Sequence, residues 1–233
     1  MRAIESIART HKTIDGLRVI VVDDGLPSRP TFSCQVEYIN GQQPFCFSRN
    51  ANLGISACGD EDVFLMNDDI TFISKDGIQA LGVAISSNSR LGLVTPSFTR
   101  KERAPSQRFG YLDPGDGLWI ETRTSLTFAA VYIRRELIRD IGSFDESFVG
   151  YGYEDNDFCW RARLGNYLIG VLPEIVVAHG DFNGNASSTF RHIEDFERMF
   201  FENRIRFVKK WGKQVLGLDE GTCLMLEDLV SYL

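Results

Sequence analysis

The sequence contains no apolar run approaching the roughly 18 residues that a membrane-crossing helix needs. Its opening, "MRAIESIART", lacks the apolar centre of a secretion signal, so the expectation is a cytoplasmic protein, with peripheral attachment to a membrane left open. The five cysteines, Cys34, Cys46, Cys58, Cys159 and Cys223, are odd in number and show no CxxC spacing. That argues against a disulfide framework or a thiolate zinc site and for reduced thiols. Positive charge is in the minority: 25 Lys and Arg against 32 Asp and Glu leave a net charge of −7. The molecule as a whole does not attract nucleic acid, although a local basic patch remains open. The phosphate loop GxxxxGK[ST] and a GxGxxG following a strand are both missing, which removes two common nucleotide-binding designs. No internal repeat or low-complexity segment is present.

What is there fits one globular domain: 233 residues, 43 % hydrophobic and 24 % charged, enough to bury a sizeable core. "LRVIVV" at 17–22 is a continuous, mostly β-branched run, as expected of a strand covered on both faces, and it stops at Asp23-Asp24-Gly25. "VFLM" at 63–66 stops at Asn67-Asp68-Asp69, and "LGLVT" at 91–95 stops at Pro96. Helical patterns lie between them, at 48–58 with Ser48 as the expected cap, and at 77–87. Alternating strands and helices predict an α/β fold with a mainly parallel sheet. In such sheets ligands sit beyond the carboxyl ends of the strands, where two of the first three predicted strands carry acidic residues. Turn chemistry accounts for either acidic pair alone. Their recurrence at equivalent ends points to a site.

Further along, 97–123 has no period and reads as a functional loop or lid. A strand is expected at 125–133, a short helix closed by Gly142, two short strands in "NYLIGV" and "EIVVA", and a helical tail from 192 with Ile193, Phe196, Phe200, Phe207 and Trp211 inward. The stretch "GYEDNDFCWRAR" at 152–163 has two readings. A helix from about Asp155 to Gly165 uses one or two acids as caps and Arg161 and Arg163 at its negative end. Capping does not require Glu154, Asp155 and Asp157 together, and a carboxylate held at a helix start is suited to act as a base.

The ordered set "VVDDG", "RNANLG", "FLMNDDI", "FAAVYIRRELIRDIGSFDESF", "GYEDNDFCWRARLGNY" and a later lone histidine resembles glycosyltransferase family 2, in particular its rhamnosyltransferase-like and galactofuranosyltransferase-like branch. The similarity spans roughly residues 3–180. It implies a GT-A, Rossmann-like domain over 1–185 with a C-terminal helical extension, 186–233, packed on it. It also implies an inverting, metal-dependent transfer of sugar from a nucleotide diphosphate sugar (UDP, dTDP or GDP type) to an acceptor hydroxyl. By this resemblance Asp69 and His179 hold Mn²⁺ or Mg²⁺, and Asp155 is the general base with Glu154 beside it. Asp23, Asp24, Arg49, Asn50, Asn52, Gly54, Asn67 and Asp68 bind the donor. Ala129, Ala130, Arg134 and Arg135 match a wall near the acceptor. The acceptor is expected to be a glycan, a lipid-linked sugar or another hydroxyl, a modified DNA base included, with Arg100, Lys101, Arg103 and Arg108 candidates to meet an anionic one.

The sequence departs from that pattern at Phe128-Ala129, where glycine is common, and in two further places. Asn67 stands where an acid is usual. Family members normally begin with a strand, whereas "MRAIESIART" reads as the helix after it; "TCLML" at 222–226 is a candidate to fill that slot. These last two departures keep an inactive sugar-nucleotide-binding relative as the alternative. A phosphoacceptor receiver module, suggested by "VIVVDDG" and Asp69, lacks the later lysine and leaves 142–179 unexplained.

Overall fold

The computed structural model describes residues 2–12, 16–99, 118–122, 125–180, 195–215 and 217. In chain order the elements are α1 (Arg2–Thr10), β1 (Val19–Asp23), β2 (Val36–Asn40), α2 (Phe47–Ala57), β3 (Val63–Met66), β4 (Ile70–Phe72) and α3 (Gly77–Ser86). They continue with β5 (Leu91–Phe98), β6 (Ile120–Glu121), β7 (Ala130–Ile133), α4 (Arg135–Ile141), α5 (Glu154–Leu164), β8 (Leu168–His179) and α6 (Phe196–Val215).

The main sheet has the order β3-β7-β5-β8-β4, with β6 also on β8; β1 and β2 form a separate parallel pair. β5 and β8 run parallel, and β7 and β4 lie antiparallel to their neighbours. β3, β5 and β8 therefore point the same way. Two apolar layers cover the two faces. On one, Ala51 and Ile55 of α2, Leu137 of α4, and Phe158, Cys159 and Ala162 of α5 pack against Val63, Val131, Ile133, Ile169 and Val171. On the other, Ile7 of α1 and Ile78, Leu81, Ala84 and Ile85 of α3 cover Ile70, Phe72, Val94 and Val177. Each large side chain fully buried there contributes about 1.5–3 kcal/mol. The eight residues of β5 are buried throughout, as a strand covered on both faces requires.

The expected α/β sheet with flanking helices is present, and several local expectations change. α2 begins at Phe47 with Cys46 as its cap residue, so Ser48 lies inside the helix, its hydroxyl buried. The two strands expected from "NYLIGV" and "EIVVA" are one, β8, whose Pro173-Glu174 sits where the β5 pairing shifts register between Pro96 and Ser97. β2 and β4 are additional strands. The described elements begin with α1, whose Ser6 hydroxyl receives the amide of Phe72 at 3.1 Å and fixes it to β4. His11 is buried beneath α3, with Nε2 accepting the Ile78 amide at 3.1 Å. Residues 100–117, His192, Ile193, Cys223 and 222–226 lie outside the described residues.

α6 presents Phe200, Asn203, Phe207, Lys210 and Trp211 at helical spacing to the Gly150–Asp157 region. Tyr153 stacks obliquely on Phe200 and Phe207 at 5.1 and 5.7 Å. Asp157, fully buried, accepts Arg161 Nε, Trp211 Nε1 and Lys210 Nζ, each at 2.8 Å, and thereby ties α5 to α6. Among the described residues no helix is long and apolar enough to cross a membrane.

Candidate active site

The antiparallel β4–β8 ladder pairs Ile70 with His179, and Gly180 donates its amide to the Asp69 carbonyl at 3.2 Å. This register sets His179 Nε2 3.5 Å from Asp69 Oδ1, with both side chains about four-fifths buried at 19 % and 21 % exposure. A carboxylate oxygen facing an imidazole nitrogen suits Mn²⁺, which takes oxygen ligands and tolerates imidazole. Among the described residues no third His, Cys, Asp or Glu joins them.

α5 starts at Glu154, and Tyr153 before it is left-handed with no side-chain cap. Among the acids of "YEDND", Asp155 meets the free amides of the first turn, while Glu154 Oε2 is left over. Asp155 accepts the Asn156 amide at 2.7 Å and also its own amide and that of Phe128. Burial nonetheless outweighs these donors and pushes its pKa above the usual aspartate range. Glu154, 3 % exposed, is pushed up by burial and then by the neighbouring Asp155 charge, and its Oε2 has no hydrogen-bond partner among the described residues. Asp157 belongs to the α5–α6 junction and not to this pair.

Two links join the pair to the Asn67–Asp69 turn. Phe128 gives its amide to Asp155 while the next residue, Ala129, accepts the Asn67 amide at 2.8 Å. Consecutive Cα atoms are about 3.8 Å apart, so the two ends of the site are tied to neighbouring residues of one segment. The second link is Tyr151. Its hydroxyl lies beside the Asn67 side chain and feels the charges of Glu154, Asp155 and Asp69; burial first, and those carboxylates next, push its pKa up. Tyr151 is not among the residues expected at the site from the sequence. A tyrosine between two glycines beside an acidic run was the available signal.

The expected donor residues divide. Asp24 accepts Gln43 Nε2 at 2.9 Å and Asn50 Nδ2 at 3.2 Å, and burial raises its pKa against the pull of Asn50 and Arg49. Asp23 accepts the amides of Gly25 and Leu26 at 3.1 and 2.8 Å and Arg29 Nε at 2.8 Å, which organises the loop after β1 and lowers its pKa, the Arg29 bond foremost. Arg49 hydrogen-bonds the carbonyl of Pro44, and Asn50 Oδ1 the amide of Gln42 at 3.0 Å. Asp68 is exposed, with its carbonyl held by Ala3 at 3.3 Å.

Asn52 and Gly54 have other work. Asn52 donates to the Phe144 carbonyl at 3.0 Å and Glu146 Oε1 at 2.9 Å and accepts the Phe144 amide at 2.9 Å, which uses both ends of its amide on the "FDE" turn. Gly54 lies mid-helix against Val22, where an added methyl would come within 3.3 Å of Cγ2. Of the expected acceptor wall, Ala129 and Ala130 are at the site and fully buried. Arg134 and Arg135 lie past the opposite end of β7, roughly 13 Å of strand away. There Arg134 Nε bonds the Leu91 carbonyl at 2.8 Å and the Arg135 amide bonds Asp62 at 2.8 Å.

No protein-family model matches the chain. It is 28 % identical over 190 residues to the pre-mycofactocin glycosyltransferase of Mycobacterium tuberculosis, covering 74 % of this chain but only 39 % of that protein. It is 25 % identical over 228 residues to the low-salt glycan biosynthesis hexosyltransferase Agl10 of Haloferax volcanii, covering 88 % of this chain and 73 % of that one. Among solved structures it resembles GalNAc-T7, crystallised with UDP, GalNAc and Mn²⁺, at a TM-score of 0.57 and 12 % identity over 97 % of this chain and 50 % of that chain. The structural likeness establishes the fold as a GT-A-type α/β sheet between helices, and the sequence similarity is to sugar transferases.

Proposed function

We propose that the chain is an inverting glycosyltransferase of the family 2 kind, moving a sugar from a nucleotide diphosphate sugar to an acceptor hydroxyl. The observation that carries the reading is the stapling of the Asp69–His179 pair to Asp155 through Phe128, Ala129 and Tyr151. A cation-suited carboxylate–imidazole pair and a partly buried carboxylate, tied to neighbouring residues of one segment, are the two groups such a transfer needs. The sugar transferases similar to this chain and the UDP and Mn²⁺ bound by GalNAc-T7 support the same reading.

Asp69 and His179 would hold Mn²⁺ or Mg²⁺, which when bound neutralises charge on the leaving diphosphate. Asp155 accepts the proton of the acceptor hydroxyl. The acceptor oxygen forms its bond to the anomeric carbon as the carbon–phosphate-oxygen bond breaks on the opposite side, and the diphosphate leaves with the electron pair. That geometry inverts the anomeric centre. Glu154, buried beside the base, would orient the acceptor or the start of α5. Asp24 with Asn50, and Asn67 with Asp68, are the side chains offered to the nucleotide and donor sugar, and Asn67 contributes hydrogen bonding without charge. Glycans and lipid-linked sugars are the acceptor classes to screen.

The test is incubation with UDP-, GDP- and dTDP-sugars, Mn²⁺ and an acceptor panel, with the anomeric configuration of product read by NMR. The expected result is release of one nucleoside diphosphate and an inverted product, with Asp155→Asn slowing turnover by about 10²–10⁴-fold. A product of retained configuration contradicts the mechanism. Binding of a sugar nucleotide without turnover on any acceptor favours the inactive-relative alternative. The antiparallel β7 and β4 do not suit a receiver module, whose sheet follows the parallel flavodoxin-like order.

A further inference from the structure

The turn that leads into α5 is gripped by α6. Asn203 is fully buried and donates from Nδ2 to the carbonyls of Val149 at 2.8 Å and Tyr151 at 3.3 Å. Its Oδ1 accepts Arg206 at 2.8 Å, which fixes the amide so that its donors face the turn. The turn itself is conformationally demanding: Gly150, Gly152 and Tyr153 all have left-handed φ, at 70°, 108° and 69°. A side chain at 150 would run into Met199, and one at 152 would come within 2.5 Å of Phe200. A non-glycine residue in such a conformation is strained, so Tyr153 is held left-handed by its surroundings. The ring of Tyr151 packs edge-on against Phe47 at 5.5 Å, and the Phe47 amide is bound to the Gly150 carbonyl at 2.7 Å. The hydroxyl at the far end of that ring meets Asn67.

We propose that Tyr151 is a positioning residue that couples the Asn67–Asp69 turn to Asp155, and that Asn203 of α6 sets its reach. The functional consequence rests on the proposed transfer reaction; the geometry does not. Asn203 holds two carbonyls on either side of Gly150, and the Tyr151 backbone is therefore fixed at its own oxygen and at the residue two before it. From there the phenol spans to Asn67, whose amide is in turn fixed by Ala129, the neighbour of the residue that binds Asp155. A slack turn would leave the base and the cation pair each intact and out of register.

Three full-length variants test this: Tyr151→Phe, which keeps the ring and loses the hydroxyl; Asn203→Asp, which keeps the shape and the Arg206 contact but turns an oxygen on two carbonyls; and both together. Amide hydrogen exchange is the first readout. Asn203→Asp is expected to speed exchange about tenfold or more over 150–157 and over 67–70, and Tyr151→Phe over 67–70 with little change in melting temperature. Unchanged exchange at 67–70 in both variants overturns the coupling, whether or not the protein transfers sugar. Steady-state kinetics is the second readout. Each variant is expected to lower kcat about tenfold or more with donor KM within about twofold, and the double variant to be no slower than the worse single one. Additive losses, or losses carried in KM, overturn the positioning role. A wild-type protein that neither binds a nucleoside diphosphate nor transfers sugar counts against the functional reading, and the exchange data then decide the coupling by themselves.

Discussion

His179 Nε2 stands 3.5 Å from Asp69 Oδ1, brought there by the register of two antiparallel strands and not by any local motif. Three-residue β4 has one evident purpose in this arrangement: it reverses the chain after Asp69 and pairs it with the end of β8. Both side chains then emerge on the same rim as the start of α5, and the site inherits the rigidity of the sheet.

The pH profile follows from Asp155. Burial raises its pKa above the ordinary aspartate value of about 3.9, and it acts only when ionised, so activity falls as pH drops through the raised value. The acid limb of kcat/KM is expected well above that of an exposed aspartate and absent from the residual activity of Asp155→Asn. A limb at the ordinary carboxylate value, or one unchanged in the variant, assigns the base elsewhere.

Glu154 makes stability depend on pH. Burial and then Asp155 raise its folded pKa above the unfolded one, so the fold takes up a proton more readily than the unfolded chain. That stabilisation is complete below the unfolded value and is lost as pH rises, from about 5 toward 8. Glu154→Gln has no such proton to lose. Its melting temperature relative to wild type is expected to rise across that range, and a difference independent of pH contradicts the assignment.

Asn52 is expected to behave as a clamp. Asn52→Ala removes three hydrogen bonds to the Phe144–Glu146 turn and leaves the buried Phe144 backbone unsatisfied, at a cost of about 1–3 kcal/mol. Denaturant melts should show that loss while nucleoside diphosphate affinity stays within about threefold, a change of less than 1 kcal/mol. A large loss of affinity at unchanged stability returns Asn52 to the donor pocket.

Lys210 bridges Asp145 at 2.6 Å and buried Asp157 at 2.8 Å. Burial alone would raise the pKa of Asp145, but Lys210 and the Ser147 amide outweigh it and lower it to about 2. A depressed folded pKa means stabilisation present above the unfolded value and lost as pH falls from about 4 toward 2. Lys210→Met is expected to cost about 1–3 kcal/mol at neutral pH, less than a fully buried pair because Lys210 keeps 34 % exposure. The gap from wild type should narrow in acid; an equal gap at both pH values removes Lys210 from the account.

Much of this was legible from residue order. The apolar runs at 19–23, 63–66 and 91–98 are all strands, but only 91–98 is buried throughout as expected; 19–23 is half-buried and pairs with β2 outside the main sheet. Short strands were not legible: "VEYIN" and "ITF" are too brief to show a period, and Pro173 broke an otherwise continuous β8 into two apparent pieces. The candidates Asp69 and His179 are brought together by the β4–β8 register, and Glu154 and Asp155 open α5, as their order in the sequence suggested. Arg134, Arg135, Asn52 and Gly54 were not legible, because sequence does not say which end of an element faces the site. Tyr151 was hidden for the same reason, since its reach to Asn67 depends on a turn shaped by α6.

The account turns on a cation-dependent donor site at Asp69 and His179. Calorimetric titration with UDP, GDP and dTDP, with and without Mn²⁺, on wild type, Asp69→Ala and His179→Ala tests it most directly. The expected result is that one diphosphate binds only when Mn²⁺ is present and that both substitutions abolish this binding. Binding that needs no cation, or that survives both substitutions, contradicts it.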